Sequence, residues 1–195
     1  MKRSPSFFAA LDLEGKSCLV VGSDAEAERR VSALLECGAH VLLVADTPSQ
    51  GLLALEKAGR IELRQRGFLP EDMKDCWLAI LAIRDKALAL EMGKLAQTER
   101  VFFCAIDLPA NNSFAHMAQA RAGFVTAAIS TEGRAPALGR KLRDELQGLF
   151  DRSNLANFAD KIARLRAQTA PETRARVLSV AVSGVRLEGA LHVEE

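Results

Sequence analysis

The stretch Ser17-Cys18-Leu19-Val20-Val21-Gly22-Ser23-Asp24-Ala25-Glu26-Ala27-Glu28-Arg29-Arg30 constrains this chain more than any other. A run of strand-forming apolar residues stops at a glycine, and an alanine-rich, charge-flanked segment of helical character follows within a few residues. That succession is the opening strand–turn–helix of a nucleotide-binding α/β unit. A turn of this kind needs a residue without Cβ where backbone approaches phosphate, and Gly22 meets the need. The dinucleotide fingerprint asks for G-x-G-x-x-G/A, and here Asp24 stands in place of the second glycine, between Gly22 and Ala27. Gly22, Ser23, Asp24 and Ala25 are therefore the candidate cofactor-binding turn. A carboxylate is favoured at a helix N-terminus, but there it occupies the anion site and repels a pyrophosphate. Two readings stand: retained dinucleotide binding, or a Rossmann-type fold in which Asp24 only caps its helix.

The chain downstream keeps the same alternation. Apolar residues at three- and four-residue spacing (Ala27, Val31, Leu34, Leu35) predict a helix ending at Gly38. Residues 40–45 form a second buried strand, and a helix from Thr47-Pro48-Ser49 runs through Leu52, Leu53 and Leu55 to Gly59. Residues 61–64 are a third strand, towards a sheet edge. After a turn around residues 68–72, residues 77–82 are a continuous apolar strand, 85–97 its crossover helix, and 100–104 a fifth strand. Strands alternating with helices at this spacing imply a parallel sheet, since each crossover needs a helix to return the chain. From Leu108 the rhythm changes. Residues 111–114 are loop-like, 124–130 strand-like, 136–150 an amphipathic helix, and helices around 158–166 and 173–182 are split by Ala170-Pro171.

With 195 residues, 49% of them hydrophobic, the chain can bury one sizeable domain and a smaller appendage. Lys and Arg number 26 against 25 Asp and Glu, so the bulk charge favours neither nucleic acid nor an anionic membrane as partner. Cys18, Cys37, Cys76 and Cys104 are widely spaced in apolar segments, without a C-x-x-C pair, as reduced core residues of a cytoplasmic protein are, not a disulfide frame or a zinc site. The basic N-terminus lacks an uninterrupted apolar core, so neither a signal peptide nor a transmembrane run is expected.

In a parallel sheet ligands bind at the carboxyl ends of the strands, where Gly22, Asp46, Ile83, Arg84 and Asp107 gather. Asp46, about twenty residues past the glycine turn, suits the adenine ribose, or else a helix entry beside Thr47. Asp107 is the candidate catalytic residue, placed to remove a proton or assist a metal, with a turn role before Leu108-Pro109 as the rival. In Ser130-Thr131-Glu132-Gly133-Arg134-Ala135-Pro136, hydroxyls and a glycine precede a helix with proline in its first turn. Ser130, Thr131, Gly133 and Arg134 there suit an anionic, polycarboxylate substrate, with Arg140, Lys141 and Arg143 further along, or else form an ordinary capped helix. A lone His116 carries little weight as a metal ligand.

In this order, these stretches resemble the precorrin-2 dehydrogenase / sirohydrochlorin ferrochelatase family, including the N-terminal module of siroheme synthase. The resemblance rests on Leu11-Asp12-Leu13-Glu14-Gly15-Lys16 before Cys18-Leu19-Val20-Val21-Gly22, and on Ala27-Glu28-Arg29-Arg30 with Leu34-Leu35-Glu36-Cys37-Gly38-Ala39. It continues through Phe68, Asp75-Cys76-Trp77-Leu78-Ala79-Ile80, Ile106-Asp107 with Pro109 and Ser113-Phe114, and Ala128-Ile129-Ser130-Thr131 with Gly133 and Ala135-Pro136. It covers residues 7–150. It implies a homodimer whose protomers hold a Rossmann-like NAD-binding-type domain (1–112), a dimerisation region (113–150) and a small helical C-terminal domain (151–195). It further implies oxidation of precorrin-2 to sirohydrochlorin with NAD, and in some members insertion of ferrous iron as substrate metal. The family's key aspartate falls on Asp107, and its serine-rich substrate-side loop on Ser130 and Thr131; Ser113 is a further candidate for substrate binding. Departures gather on the nucleotide side, except that the family's paired glycines after the serines are Glu132-Gly133. The family's G-G-G-x-V-A is Gly22-Ser23-Asp24-Ala25-Glu26-Ala27, its Thr-Asp-Asp is Ile83-Arg84-Asp85 with Ala89 in place of a later Asn, and an Asn before the key Asp is Cys104. The alternative expectation is a family member with a degenerate NAD site, acting only as a chelatase or as a non-catalytic tetrapyrrole-binding or interaction protein.

Overall fold

Strand β1 (Ser17–Val21) is buried from its second residue on, because its side chains are covered on both faces of a parallel sheet. The computed structural model describes residues 6–106 and 108–189. The chain forms two compact units, divided between His116 and Met117. In the first, β1 is followed by α1 (Ala25–Glu36), β2 (His40–Val44), α2 (Gln50–Lys57), β3 (Glu62–Arg64), β4 (Leu78–Leu81), α3 (Lys86–Glu99) and β5 (Phe102–Ala105). All five strands pair in parallel in the order β3-β2-β1-β4-β5. The expected parallel α/β sheet is thus present, with β3 at an edge. The chain leaves β1 in one direction towards β2 and β3 and returns on its other side as β4 and β5. The reversal point, where such folds bind ligands, therefore lies between the carboxyl ends of β1 and β4.

The strand period of two sorts the core into two layers. Cys18, Val20, Val41, Leu43, Leu78 and Ile80 pack with Val31, Leu34 and Leu52 of α1 and α2. Leu19, Val21, Val44, Ala79, Leu81 and Phe103 pack with Met92 and Ala96 of α3. The crossover from β3 to β4 is only a 3-10 turn at Pro70–Met73. It stays in place through Asp72, the one buried charged side chain among the described residues. The Asp72 carboxylate accepts from Arg64 Nη1 at 2.5 Å, from Arg66 Nη1 and Nη2 at 2.7 Å each, and from the Leu69 N–H at 2.9 Å. Burial by itself would raise the Asp72 pKa; the hydrogen bonds from Arg66, Leu69 and Arg64 outweigh it and bring the group down to about 2.

One pair of boundaries differs from the sequence expectation for a backbone reason. Helix α3 runs on to Glu99 and closes at Arg100 in the left-handed conformation (φ 58°), a place glycine usually takes, so β5 starts later than its apolar run suggests.

The second unit holds an antiparallel hairpin of β6 (Ala118–Ala122) and β7 (Val125–Ile129), then α4 (Pro136–Arg152), α5 (Leu155–Gln168) and α6 (Pro171–Val182). Gly123 at φ 58° supplies the tight turn. Strand β6 has no clear sequence signal, because Ala-Gln-Ala-Arg-Ala alternates without the branched or aromatic residues that mark strands. Among the described residues no helix is long and apolar enough to cross a membrane.

Candidate functional site

The turn after β1 is built by close approach. Gly22 has φ 155°, and a Cβ placed there would lie 3.0 Å from Ala82 Cβ and 3.2 Å from Ala27 Cβ, so glycine lets β1, α1 and the end of β4 meet. The turn is fixed on three sides: Gly22 N–H donates to Val44 O at 3.0 Å, Ala82 N–H to Val21 O at 2.8 Å, and Ser49 N–H to Ser23 O at 3.0 Å. Ser23 is half-buried and Ala25 exposed, while Ile83 follows β4 half-buried. Helix α3 is capped by Asp85, which accepts from Leu88 N–H at 3.0 Å.

Asp24 is the N-cap of α1, and its Oδ1 accepts from the N–H groups of Glu26 at 3.0 Å and Ala27 at 3.3 Å. Glu28 is aimed at the start of α2, where the Ser49 hydroxyl donates to it and where it lies against Gly51. Ser49 in turn caps α2 by accepting from Leu52 N–H at 3.3 Å. Asp46 is exposed just past β2, with its carboxylate unpaired among the described residues and its carbonyl accepting from Gln65 Nε2 at 3.4 Å. Gly22, Ser23, Asp24, Ala25, Asp46 and Ile83 thus share one edge of the first unit. The long-range Glu28–Ser49 contact has no local signal in the sequence.

The nucleoside side of this edge fits a dinucleotide. Asp46 offers a free carboxylate where a ribose diol would sit, and Gly22 leaves the backbone approachable. The pyrophosphate side fits poorly, because two of the N–H donors at the start of α1 are already taken by the Asp24 carboxylate.

At the edge strand β5 the structure places Ser113 and its neighbour in backbone roles. Phe103 N–H donates to Ser113 Oγ at 2.7 Å, Ala105 N–H to Asn112 Oδ1 at 2.7 Å, and Asn112 Nδ2 to Ala105 O at 3.0 Å. Asn112 Nδ2 also reaches Cys104 Sγ at 3.4 Å. Burial pushes the Cys104 thiol up to about 11, Arg30 only partly opposing it, so this sulfur stays protonated at neutral pH. Of the four cysteines expected in the core, Cys18 and Cys104 are buried, but Cys76 is only partly so and Cys37 is exposed, because it caps the C-terminus of α1. Asp107 lies outside the described residues. His116 meets Phe114 edge-on, with ring centroids 5.2 Å apart, and no group of three or more His, Cys, Asp or Glu gathers as a metal site among the described residues.

In the second unit Ser130 Oγ accepts from Glu132 N–H at 3.0 Å, and Arg134 N–H donates to Thr131 O at 2.9 Å. Glu132 (φ 54°) and Gly133 (φ 75°) turn the chain, and Thr131 Cγ2 packs 3.4 Å from where a Cβ would be on Gly139 of α4. Helix α4 opens at Ala135-Pro136 without a side-chain cap, and Arg134 lies 3.6 Å from Glu132. Ser130, Thr131, Gly133 and Arg134 therefore form one turn at the start of α4.

A parallel sheet reversing at β1/β4, with a glycine turn into α1 and an acid past β2, defines a Rossmann-type, dinucleotide-binding class of fold. Residues 9–118, more than half of the chain, match the family described as "Putative NAD(P)-binding", and the chain belongs to that family. Siroheme synthase 2 of Cronobacter sakazakii is 33% identical over 159 residues, which are 80% of this chain and 35% of that protein. Siroheme synthase of Escherichia coli O1:K1 / APEC is 32% identical over 156 residues, 80% of this chain and 34% of that protein. The chain spans about a third of the length of the curated relatives it matches. Among solved structures, "SirC, precorrin-2 dehydrogenase" aligns with TM-score 0.76 and 22% identity over 91% of this chain and 89% of that one, a likeness of fold.

Proposed function

We propose that the chain is a precorrin-2 dehydrogenase of siroheme biosynthesis, oxidising precorrin-2 to sirohydrochlorin with NAD(P) as hydride acceptor. The observation that carries this reading is the identity of 30–33% to siroheme synthases along 80% of the chain. The likeness of its fold to a precorrin-2 dehydrogenase supports it. When bound, NAD(P) would take a hydride from the tetrapyrrole. In the chain itself Asp107 accepts the proton released with it, and Ser130, Thr131 and Arg134 hold substrate carboxylates at the opening of α4. The test is absorbance: purified protein with precorrin-2 and saturating NAD should produce sirohydrochlorin and NADH in equal amounts, and Asp107→Asn should abolish both. No sirohydrochlorin from the wild-type chain, where a siroheme synthase produces it, overturns the reading.

A second reading follows from Asp24 at the pyrophosphate position: the fold serves only to insert ferrous iron as substrate metal, or to carry the tetrapyrrole without chemistry. It is separated by supplying sirohydrochlorin and ferrous iron without nucleotide and following sirohaem formation.

The working unit in this reading is a homodimer in the cytoplasm, which agrees with four free thiols, Cys18, Cys37, Cys76 and Cys104. The second unit supports the dimer. Its buried apolar side chains among the described residues are Ala120, Ala122 and Ala159, while Phe124, Leu138, Val180 and Val182 are exposed. That is little core for a unit of this size, and association with a second copy would add to it. Analytical ultracentrifugation at micromolar concentration should give twice the chain mass of 21.1 kDa.

A further inference from the structure

We propose that Asp24 is a built-in anion that selects against pyrophosphate, so that the cleft takes the nucleoside part of a ligand through Asp46 and admits phosphate only when the Asp24 carboxylate is displaced. The inference rests on the NAD(P)-cleft reading above and concerns which part of the nucleotide the cleft holds.

Three observations converge. First, Asp24 Oδ1 accepts from both Glu26 and Ala27 N–H, two of the donors open to a phosphate at the start of α1. Second, Glu28 brings another carboxylate to the same edge, at the start of α2, through the Ser49 hydroxyl and against Gly51. Ser49 is itself tied to the glycine turn by its N–H to Ser23 O at 3.0 Å, so the two helix starts form one structure. Third, the nearby cations do not neutralise this pair of acids. Arg29 and Arg30 both engage Glu26, and among the described residues no cation pairs with Asp24 or Glu28.

A diphosphate approaching the turn therefore has to displace an anion already hydrogen-bonded there and to sit beside a second one. Each repels it, and neither is paired with a cation among the described residues. A nucleoside escapes both costs. Its vicinal diol finds the unpaired Asp46 carboxylate past β2, and hydrogen bonds to a charged acceptor are the stronger kind. Asp24 is in this sense a specificity-determining residue for the cofactor cleft. Exposure lets its side chain rotate away, so pyrophosphate binding is weakened rather than abolished.

Calorimetry of the full chain with adenosine, ADP and NAD tests this, using wild type, Asp24→Ser and Asp24→Gly. Serine keeps an N-cap oxygen without charge and glycine costs the helix little, so both variants should fold, as thermal melts would verify. In the wild type, ADP and NAD should bind no more tightly than adenosine. Both variants should tighten ADP and NAD at least tenfold and leave adenosine within about twofold, since only the charge at the phosphate position has changed. The proposal is overturned if wild-type ADP binds tenfold or more tightly than adenosine, if the variants leave the ADP-to-adenosine ratio unmoved, or if none of the three probes binds any of the three proteins. Failure of the dehydrogenase reading is a separate result, read from the absence of sirohydrochlorin at saturating NAD in wild type and Asp24→Ser alike. A dehydrogenase with a high KM for NAD, lowered in Asp24→Ser at similar kcat, satisfies both.

Discussion

Gly22 and Ala82 approach so closely that a Cβ on the glycine would lie 3.0 Å from the alanine methyl. This single contact joins the end of β1 to the end of β4, the two strands between which the chain reverses direction. The glycine therefore has a packing reason to be there, independent of any ligand. Gly22→Ala combines a backbone at φ 155°, which side-chain-bearing residues avoid, with overpacking against Ala82 and Ala27. It should destabilise the chain by about 3 kcal/mol in urea titration. A variant as stable as wild type that only lost nucleotide affinity would show that the turn is shaped for ligand alone.

Asp72 gives a pH dependence with a definite sign. Its folded pKa is lowered to about 2 from an ordinary value of 3.8, despite full burial, by Arg66, the Leu69 N–H and Arg64. A lowered carboxylate contributes stability that is complete above its unfolded value and is lost as pH falls through its folded one. The window is therefore about pH 4 to pH 2, and the loss across it is about 2 kcal/mol from this group. Urea midpoints measured across that window should fall steeply for wild type and more shallowly for Asp72→Asn. The variant should already be weaker at pH 7, because the neutral amide loses the charge in three hydrogen bonds from Arg64 and Arg66 that hold the β3–β4 crossover.

The sheet was legible in the sequence because buried parallel strands are continuous apolar runs, and residues 17–21, 40–44 and 78–81 have no competing period. Helix starts at Asp24, Ser49 and Asp85 were legible for the same local reason, since capping chemistry lies within three residues of itself. What escaped were features made at long range or by exception. The Glu28–Ser49 contact spans 21 positions, and nothing near either residue announces it. Arg100 closes α3 in a left-handed conformation without the glycine that would signal it. Strand β6 is alanine-rich, so its pairing with β7 depends on the turn at Gly123 and not on its own propensity. At the candidate site, sequence located Asp24 at the place of the second glycine but could not choose between cap and phosphate turn. The hydrogen bonds of Oδ1 show it acting as the cap of α1, accepting from Glu26 and Ala27 N–H.

Ser113 and Asn112 should behave as guards of the β5 edge. Their side chains satisfy the N–H groups of Phe103 and Ala105, which an edge strand otherwise leaves open to pairing with another chain. Asn112→Ala should cost about 1–3 kcal/mol, the penalty for unpaired and partly buried backbone groups. In hydrogen exchange, the Ala105 amide should lose protection in Asn112→Ala and the Phe103 amide in Ser113→Ala. If Ser113→Ala instead keeps stability and exchange unchanged but raises KM for the tetrapyrrole, its hydroxyl belongs to substrate binding.

Asp46 differs from Asp24 in that its carboxylate is exposed and has no partner among the described residues, and in the proposed cleft it takes the nucleoside. Asp46→Ala should weaken adenosine at least tenfold, consistent with about 1.5–3 kcal/mol for a hydrogen bond to a charged group. Because the same carboxylate repels a phosphate on the ribose 2′-oxygen, the wild type should prefer NAD to NADP. In Asp24→Ser, where both dinucleotides bind measurably, adding Asp46→Ala should narrow that preference by weakening NAD more than NADP. Calorimetry on the single and double variants checks both effects. Unchanged adenosine binding in Asp46→Ala would remove this residue from the cleft and leave it as an exposed acid past β2 beside the entry to α2.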